Sequence, residues 1–560
     1  MSNNNKPMPS MNTHDMGLKK HKMSTITVVF MVFSLVAAGC YGIEDMIPEA
    51  GPGITLIMLI VLPFVWGLPF GLVASELGSV RPQEGGYYKW VQEALGEFWG
   101  FQAGWWRGVS VYIDNALYVI LAGGYMAGVM GLNRVEEYIF KAVMILVFMF
   151  INIRGIKDVA IITNILSVFV IIAFAMIAII GFTNWGGNPF LPLTPEPIES
   201  KVDLIFYIGS GIAIGMWMYS GYESMSTIAG EIENPQVISK ATILTVPLIM
   251  ATYIFPTMAA LSAFKGAGEE FSFLNWGSEA TDVGYATVAS HFLGPAFGIF
   301  FGVVAVIAQC SIYNTYIASG SRGFFALADD YLAPPILVKV DKKRGVPYIA
   351  VISVAVVNLI LCMFSFTAVV IVDVFLLVAS YVLVYISAII LRKKIPREEY
   401  IFRIPGGFAV LVPLCVIPII IAFLSFLLNG TDYFIGGMIG IVSGPVMYFI
   451  WKKMYGGLAK KDAVLYPNNP KTGLAYGDTK RLAIMFLILT IIGIAGIFFL
   501  PFYEGKWAVE YYAEEYSGTP FLSNWNSMIA AIKYSTIVCG ILTVVFGLFG
   551  KYSDTQKSEN

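Results

Sequence analysis

The chain has 560 residues, of which 57% are hydrophobic and 13% charged, with a mean hydropathy of +0.73. Ordinary water-soluble domains do not reach that balance, so an all-α polytopic membrane protein is expected, with the lipid bilayer as its first partner. A net charge of -2 and three histidines leave no basic field for nucleic acid and little for a metal site.

Residues 1–23 are polar and carry Lys6, Lys19, Lys20 and Lys22, which reads as a cytoplasmic tail with no cleaved signal peptide. Apolar stretches of about 20 residues then recur, each long enough to cross a hydrocarbon core about 30 Å thick. Fourteen are expected, centred near Val32, Leu62, Ile113, Val147, Ile171, Ile214, Ile249, Val304, Val356, Leu383, Ile417, Gly440, Leu489 and Thr536. With the tail inside, most of the 35 Lys and Arg fall on the cytoplasmic side, which predicts a cell-membrane protein with both termini cytoplasmic.

Span one is interrupted at Gly39-Cys40-Tyr41-Gly42-Ile43, followed at once by Glu44 and Asp45. Glycines there free the backbone to turn amides toward a polar or anionic solute, whereas small residues also permit close helix crossing. The two acids are read either as coupling or gating groups within the membrane or as residues of the external mouth.

Span three places Asp114 and Asn115 among apolar neighbours, where a carboxylate needs either a water-filled site or a partner such as Arg107, seven residues earlier on nearly the same helix face. Span six is interrupted at Trp217-Met218-Tyr219-Ser220-Gly221-Tyr222-Glu223, which offers aromatic faces, freed carbonyls and a carboxylate suited to an ammonium group. Glu223 is either a counter-ion for a cationic solute or a structural acid that binds the unwound backbone. Span eight carries Gln309, Ser311, Tyr313, Asn314, Thr315 and Ser319, which are oxygen ligands for a small cation or interhelical glue.

The first ten spans divide into two sets of five, residues 24–182 and 203–392, each opening on an interrupted helix. Five is odd, so the second set enters the membrane inverted, and a solute site is expected between spans one and six. Four further helices follow, in residues 408–453 and 482–550, separated by a cytoplasmic linker over 454–481 and followed by a tail over 551–560. Glycine spacing around Gly436, Gly437, Gly440 and Gly444 assigns them to packing or to a homo-oligomer contact. All five cysteines sit in or beside apolar spans and read as reduced thiols. No HExxH, Walker A, GxSxG or paired CxxC pattern is present, so neither an enzyme nor a cofactor is expected.

Tyr41-Gly42-Ile43-Glu44-Asp45, Phe98-Trp99-Gly100-Phe101-Gln102-Ala103-Gly104-Trp105-Trp106 and Ile113-Asp114-Asn115-Ala116-Leu117-Tyr118 resemble signatures of polyamine-uptake permeases. Ala229-Gly230-Glu231-Ile232-Glu233-Asn234-Pro235 and Phe402-Arg403-Ile404-Pro405 are similar to more general elements of the amino acid/polyamine/organocation superfamily. Over about residues 25–405 the chain is therefore identified as resembling that superfamily. The resemblance implies a leucine-transporter-like 5+5 inverted repeat working by alternating access, with H⁺ or Na⁺ as candidate coupling ion. For an amino acid it implies carboxylate binding near Gly39 to Gly42 and amine binding near Trp217 to Gly221; for a polyamine, Glu44, Asp114 and Glu223 matter more.

The expected function is secondary-active transport of amino acids or related amines, with a dedicated polyamine transporter as the alternative. A non-transporting nutrient sensor of the same fold is disfavoured by tails of only about 23 and 10 residues.

Overall fold

The computed structural model describes residues 20–37, 40–83, 85–199, 201–234, 236–277, 283–364, 366–505 and 507–554. The expected N-terminal tail lies largely outside these residues, as do Gly39 and the last residues of the C-terminal tail.

Every regular element among the described residues is helical. In chain order these are α1 (Thr25–Val36), α2 (Met46–Ala50), α3 (Pro52–Val80, with a π turn at Pro63–Gly67), α4 (Gly86–Leu95), α5 (Glu97–Met130) and α6 (Arg134–Arg154). They continue with α7 (Ile156–Thr183), α8 (Lys201–Met218), the 3₁₀ segment Tyr222–Glu231, α9 (Gln236–Ala263), α10 (Tyr285–Leu293) and α11 (Pro295–Asp329). The remainder are α12 (Tyr348–Leu361), α13 (Phe366–Lys394), α14 (Gly407–Leu428), α15 (Thr431–Tyr455), α16 (Asp478–Glu504), α17 (Ala508–Glu515) and α18 (Trp525–Asp554).

Eleven helices among the described residues are long and apolar enough to cross a membrane. The other three expected spans fall on α1, with 12 residues, α12, with 14, and α6, with 21. α1 stops early because its chain leaves helical geometry at Ala37, which is extended at φ -146°, ψ 134°. α6 is long enough but carries Glu136, Glu137, Lys141 and Arg154, a charge load that an apolar span avoids.

The two longest helices, α5 and α11, form the centre, packing extensively against each other, with α13 also against α5. Their inward faces carry Arg107, Ser110, Asp114, Gln309, Asn314 and Ser319, all buried. Such polar groups are tolerable only where protein or a cavity meets them. α16 and α18 pair mainly with each other, and their outward Ile488, Ile491, Phe498, Ile537, Ile541 and Val544 present the apolar surface that lipid requires. All five cysteines are free.

Candidate functional site

The first interruption begins where α1 ends at Val36 and lasts until α2 begins at Met46. Gly42 has φ +93°, a left-handed conformation that side chains rarely adopt. Cys40 and Ile43 are fully buried and Tyr41 nearly so, and the Cys40 thiol donates to the Thr252 carbonyl at 2.7 Å. Glu44 is nearly fully buried and lines, with Tyr41, Tyr125, Gly284 and Thr287, a cavity of about 320 Å³. Its carboxylate accepts from the Tyr125 hydroxyl at 2.7 Å, from the Tyr285 backbone N–H at 3.3 Å and from the Gly42 N–H at 3.4 Å. Asp45 is half-buried at the start of α2.

The second interruption follows α8. Gly221, at φ +106°, breaks the helix before the 3₁₀ segment Tyr222–Glu231, which is wound more tightly than a continuing α-helix would be. Trp66 Nε1 donates to Ser220 Oγ at 3.0 Å and Tyr219 donates to the Leu59 carbonyl at 2.8 Å, tying the turn to α3.

The two interruptions touch. A Cβ on Gly42 would lie 3.1 Å from the Trp217 ring, and one on Gly221 would lie 2.4 Å from the Leu35 carbonyl oxygen. The Tyr253 hydroxyl of α9 stands 3.0 Å from the carbonyls of both Val36 and Met218, the last helical residues on each side. Between them Ala37, Tyr41, Tyr118, Trp217, Tyr253 and Gln309 line a cavity of about 10 Å³, room for about one water. The site is thus contracted around its centre.

Arg107 is not the partner of Asp114, contrary to the helix-face expectation. Its Nε reaches Glu223 Oε1 at 2.5 Å, with Nη1 on Ser110 Oγ at 2.9 Å and Nη2 on Ser224 Oγ at 3.2 Å. The second Glu223 oxygen accepts from the Tyr381 hydroxyl at 2.6 Å, and that hydroxyl in turn accepts from the Gly221 N–H at 2.9 Å. Both Glu223 oxygens are therefore occupied in fixing the second interruption to α5 and α13. Asp114 instead accepts from Trp217 Nε1 at 2.9 Å, with the Tyr118 and Tyr316 hydroxyls beside it.

Asn314 and Thr315 lie apart from these acids, in a hydroxyl and amide cluster joining α1, α6, α7 and α11. Thr315 Oγ1 meets Thr163 Oγ1 at 2.8 Å and Ser34 Oγ at 3.3 Å, while Asn314 donates to the Val159 carbonyl and Thr163 Oγ1 at 3.2 Å each. Among the described residues no group of three or more His, Cys, Asp or Glu is arranged to hold a metal.

Three residues of the site are absent from the sequence-based expectations: Asp373, Tyr381 and Tyr253. Asp373 is fully buried on α13 and accepts from Ser110 Oγ at 2.5 Å. An isolated acid in the apolar run of α13 is the same signal that marks Asp114, and it suffices to find Asp373. The two tyrosines carry no such signal, since apolar spans routinely contain tyrosine.

The general motifs are engaged in contacts outside the two interruptions. Glu231 pairs with Arg322 at 2.6 Å, and Glu76 accepts the Ile404 N–H at 2.7 Å, so the Ala229–Pro235 and Phe402–Pro405 elements are tied to neighbouring spans. Just beyond α11, burial alone would raise the Asp330 carboxyl, but the ammonium groups of Lys89 and Lys461 hold it well below the usual carboxylate range.

Residues 23–451 match the model of a family described as amino acid permease. The chain belongs to that family. It is similar to a probable polyamine transporter of Arabidopsis thaliana, 29% identical over 72% of this chain and 78% of the relative. It also resembles the polyamine transporter PUT1 of Oryza sativa subsp. japonica, at 28% identity over 80% and 81% of the two chains. The serine/threonine exchanger SteT of Bacillus subtilis is 25% identical over 79% of this chain and 99% of its own. A solved structure of MhsT in complex with L-phenylalanine superposes with a TM-score of 0.57 at 14% identity, covering 73% of this permease and all of MhsT, which establishes a shared fold. The permease is a multi-pass membrane transporter.

Proposed function

We propose that this permease is a secondary-active transporter of amino acids or related amines that favours cationic substrates and holds them between the two interruptions. The observation that carries this reading is Asp114, a buried carboxylate beside the second interruption whose partner is the neutral indole of Trp217 rather than a cation. A carboxylate next to aromatic faces is the chemistry that receives an ammonium group, and an intramembrane acid is costly unless used. The relatives named as polyamine transporters favour the same substrate class.

In this reading spans one to ten form two inverted sets of five, within a fourteen-span chain whose termini are cytoplasmic in the cell membrane. Alternating access then proceeds by the two sets moving against each other around a midplane site. The positive-inside distribution and the interrupted helices support that arrangement. An amino acid would place its carboxylate against the amides near Cys40 to Gly42 and its ammonium toward Asp114 and the carbonyls near Trp217.

Uptake of radiolabelled amino acids and diamines into proteoliposomes, under imposed pH and Na⁺ gradients, tests the proposal. Asp114→Asn is expected to lower the uptake efficiency of cationic substrates by about tenfold or more, the loss of one good ion pair. Unchanged cation uptake in that variant, or flux confined to neutral solutes, overturns it.

A further inference from the structure

Positions 107, 110 and 114 form one stripe of α5, spaced i, i+3 and i+7. Ser110 on that stripe receives Arg107 Nη1 and donates to Asp373 Oδ1, which pins the α13 carboxylate beside the stripe. Ser110 and Asp114 are four residues apart, so the Asp373 contact lies about 6 Å along the helix from Asp114, at about 1.5 Å per residue.

Three fully or nearly fully buried carboxylates, Asp114, Glu223 and Asp373, therefore surround one guanidinium. That guanidinium is committed to Glu223. Neither Asp114 nor Asp373 has a cation within ion-pair distance among the described residues, and Asp373 Oδ2 has no hydrogen-bond partner there while being fully buried. A buried polar atom left without a partner is expensive, so its retention calls for a visiting donor. The surroundings of Asp114 are aromatic: Trp217 donates to it, and Tyr118 stacks on Trp217 at 5.8 Å and meets Tyr316 at 5.4 Å. Such surroundings suit a short methylene chain with charged ends.

The geometry points to Asp373 as a second anchor, so that the site recognises a linear diamine at two points, one ammonium on Asp114 and the other on Asp373 Oδ2. A four-carbon diamine has five bonds of about 1.5 Å between its nitrogens and spans about 6 Å when staggered, so its two ammonium groups can face acids about one helical turn apart. A substrate with one ammonium satisfies one acid and leaves the other unpaired, which makes the second charge the source of discrimination. This inference rests on the cation-binding reading of Asp114.

The test uses the full chain in proteoliposomes with 1,4-diaminobutane and n-butylamine as competing probes. Asp373→Asn should raise the apparent KM for the diamine by about tenfold, the worth of one good ion pair, while changing the monoamine by less than about twofold. Asp114→Asn should weaken both. Asp373→Glu keeps the charge but extends it by one methylene, so the preferred probe should shift toward 1,3-diaminopropane; it also serves where the Asn variant does not fold. An unchanged diamine KM in Asp373→Asn, or equal changes for both amines, overturns the second anchor and leaves the Asp114 reading standing. Should Asp114→Asn also bind both amines normally, the underlying reading fails with it.

Discussion

The two interruptions hold their carboxylates by different means. Glu44 in the first is held by neutral donors, the Tyr125 hydroxyl of α5, the Tyr285 backbone N–H of α10 and the Gly42 N–H. Glu223 in the second is held by a guanidinium and a hydroxyl that reach in from α5 and α13. Both are fastened to other elements, the first by neutral hydrogen bonds to α5 and α10 and the second by an ion pair to α5 and a hydrogen bond to α13. A solute that moves the second interruption must break or carry a buried ion pair, whereas moving the first exchanges only neutral hydrogen bonds.

The largest effect expected from breaking this comparison is at Arg107. Arg107→Ala leaves Glu223 buried and unpaired, which costs about 3–5 kcal/mol. The matching change at the first interruption, Tyr125→Phe, removes one hydrogen bond and costs about 1–2 kcal/mol. Thermal unfolding of the two variants in detergent reads the difference, and equal losses would show that the interruptions are fastened alike.

A smaller effect is expected from the glycines. At both positions an alanine must adopt a left-handed backbone, costing roughly 1–2 kcal/mol. At Gly221 the added methyl also meets the Leu35 carbonyl at 2.4 Å and the Tyr316 hydroxyl at 2.6 Å, while at Gly42 it meets only the edge of the Trp217 ring at 3.1 Å. Gly221→Ala should therefore destabilise the protein and slow transport more than Gly42→Ala, measured by the same melts and by initial uptake rates. A larger loss at Gly42 would reverse the ranking of the two interruptions.

Much of this architecture is legible in the residues. Apolar length marks all eleven long spans, because each must bridge the same thickness of hydrocarbon. Glycine clusters mark both places where helical geometry lapses. Length fails for α1 and α12, where the helix proper is shorter than the apolar stretch that contains it. Within the site, the periodicity of α5 puts Arg107 and Asp114 on one face but cannot reveal that Glu223, 116 residues further on, takes Arg107 as its partner. Pairings across spans depend on which helices become neighbours, and no local pattern records that. Asp373 is a different kind of omission, since its isolation among apolar residues was visible and only its partner was not.

The Tyr253 hydroxyl adds a constraint of stoichiometry. It has a single proton, yet it stands equally close to the carbonyls that end α1 and α8. Two acceptors share one hydrogen, so neither helix end is fully satisfied while the halves stay together. Any motion that draws them apart must hand that proton to one side, and the abandoned carbonyl then needs water or solute in its place. Emptying and opening the site are in this way made chemically unequal by one phenol.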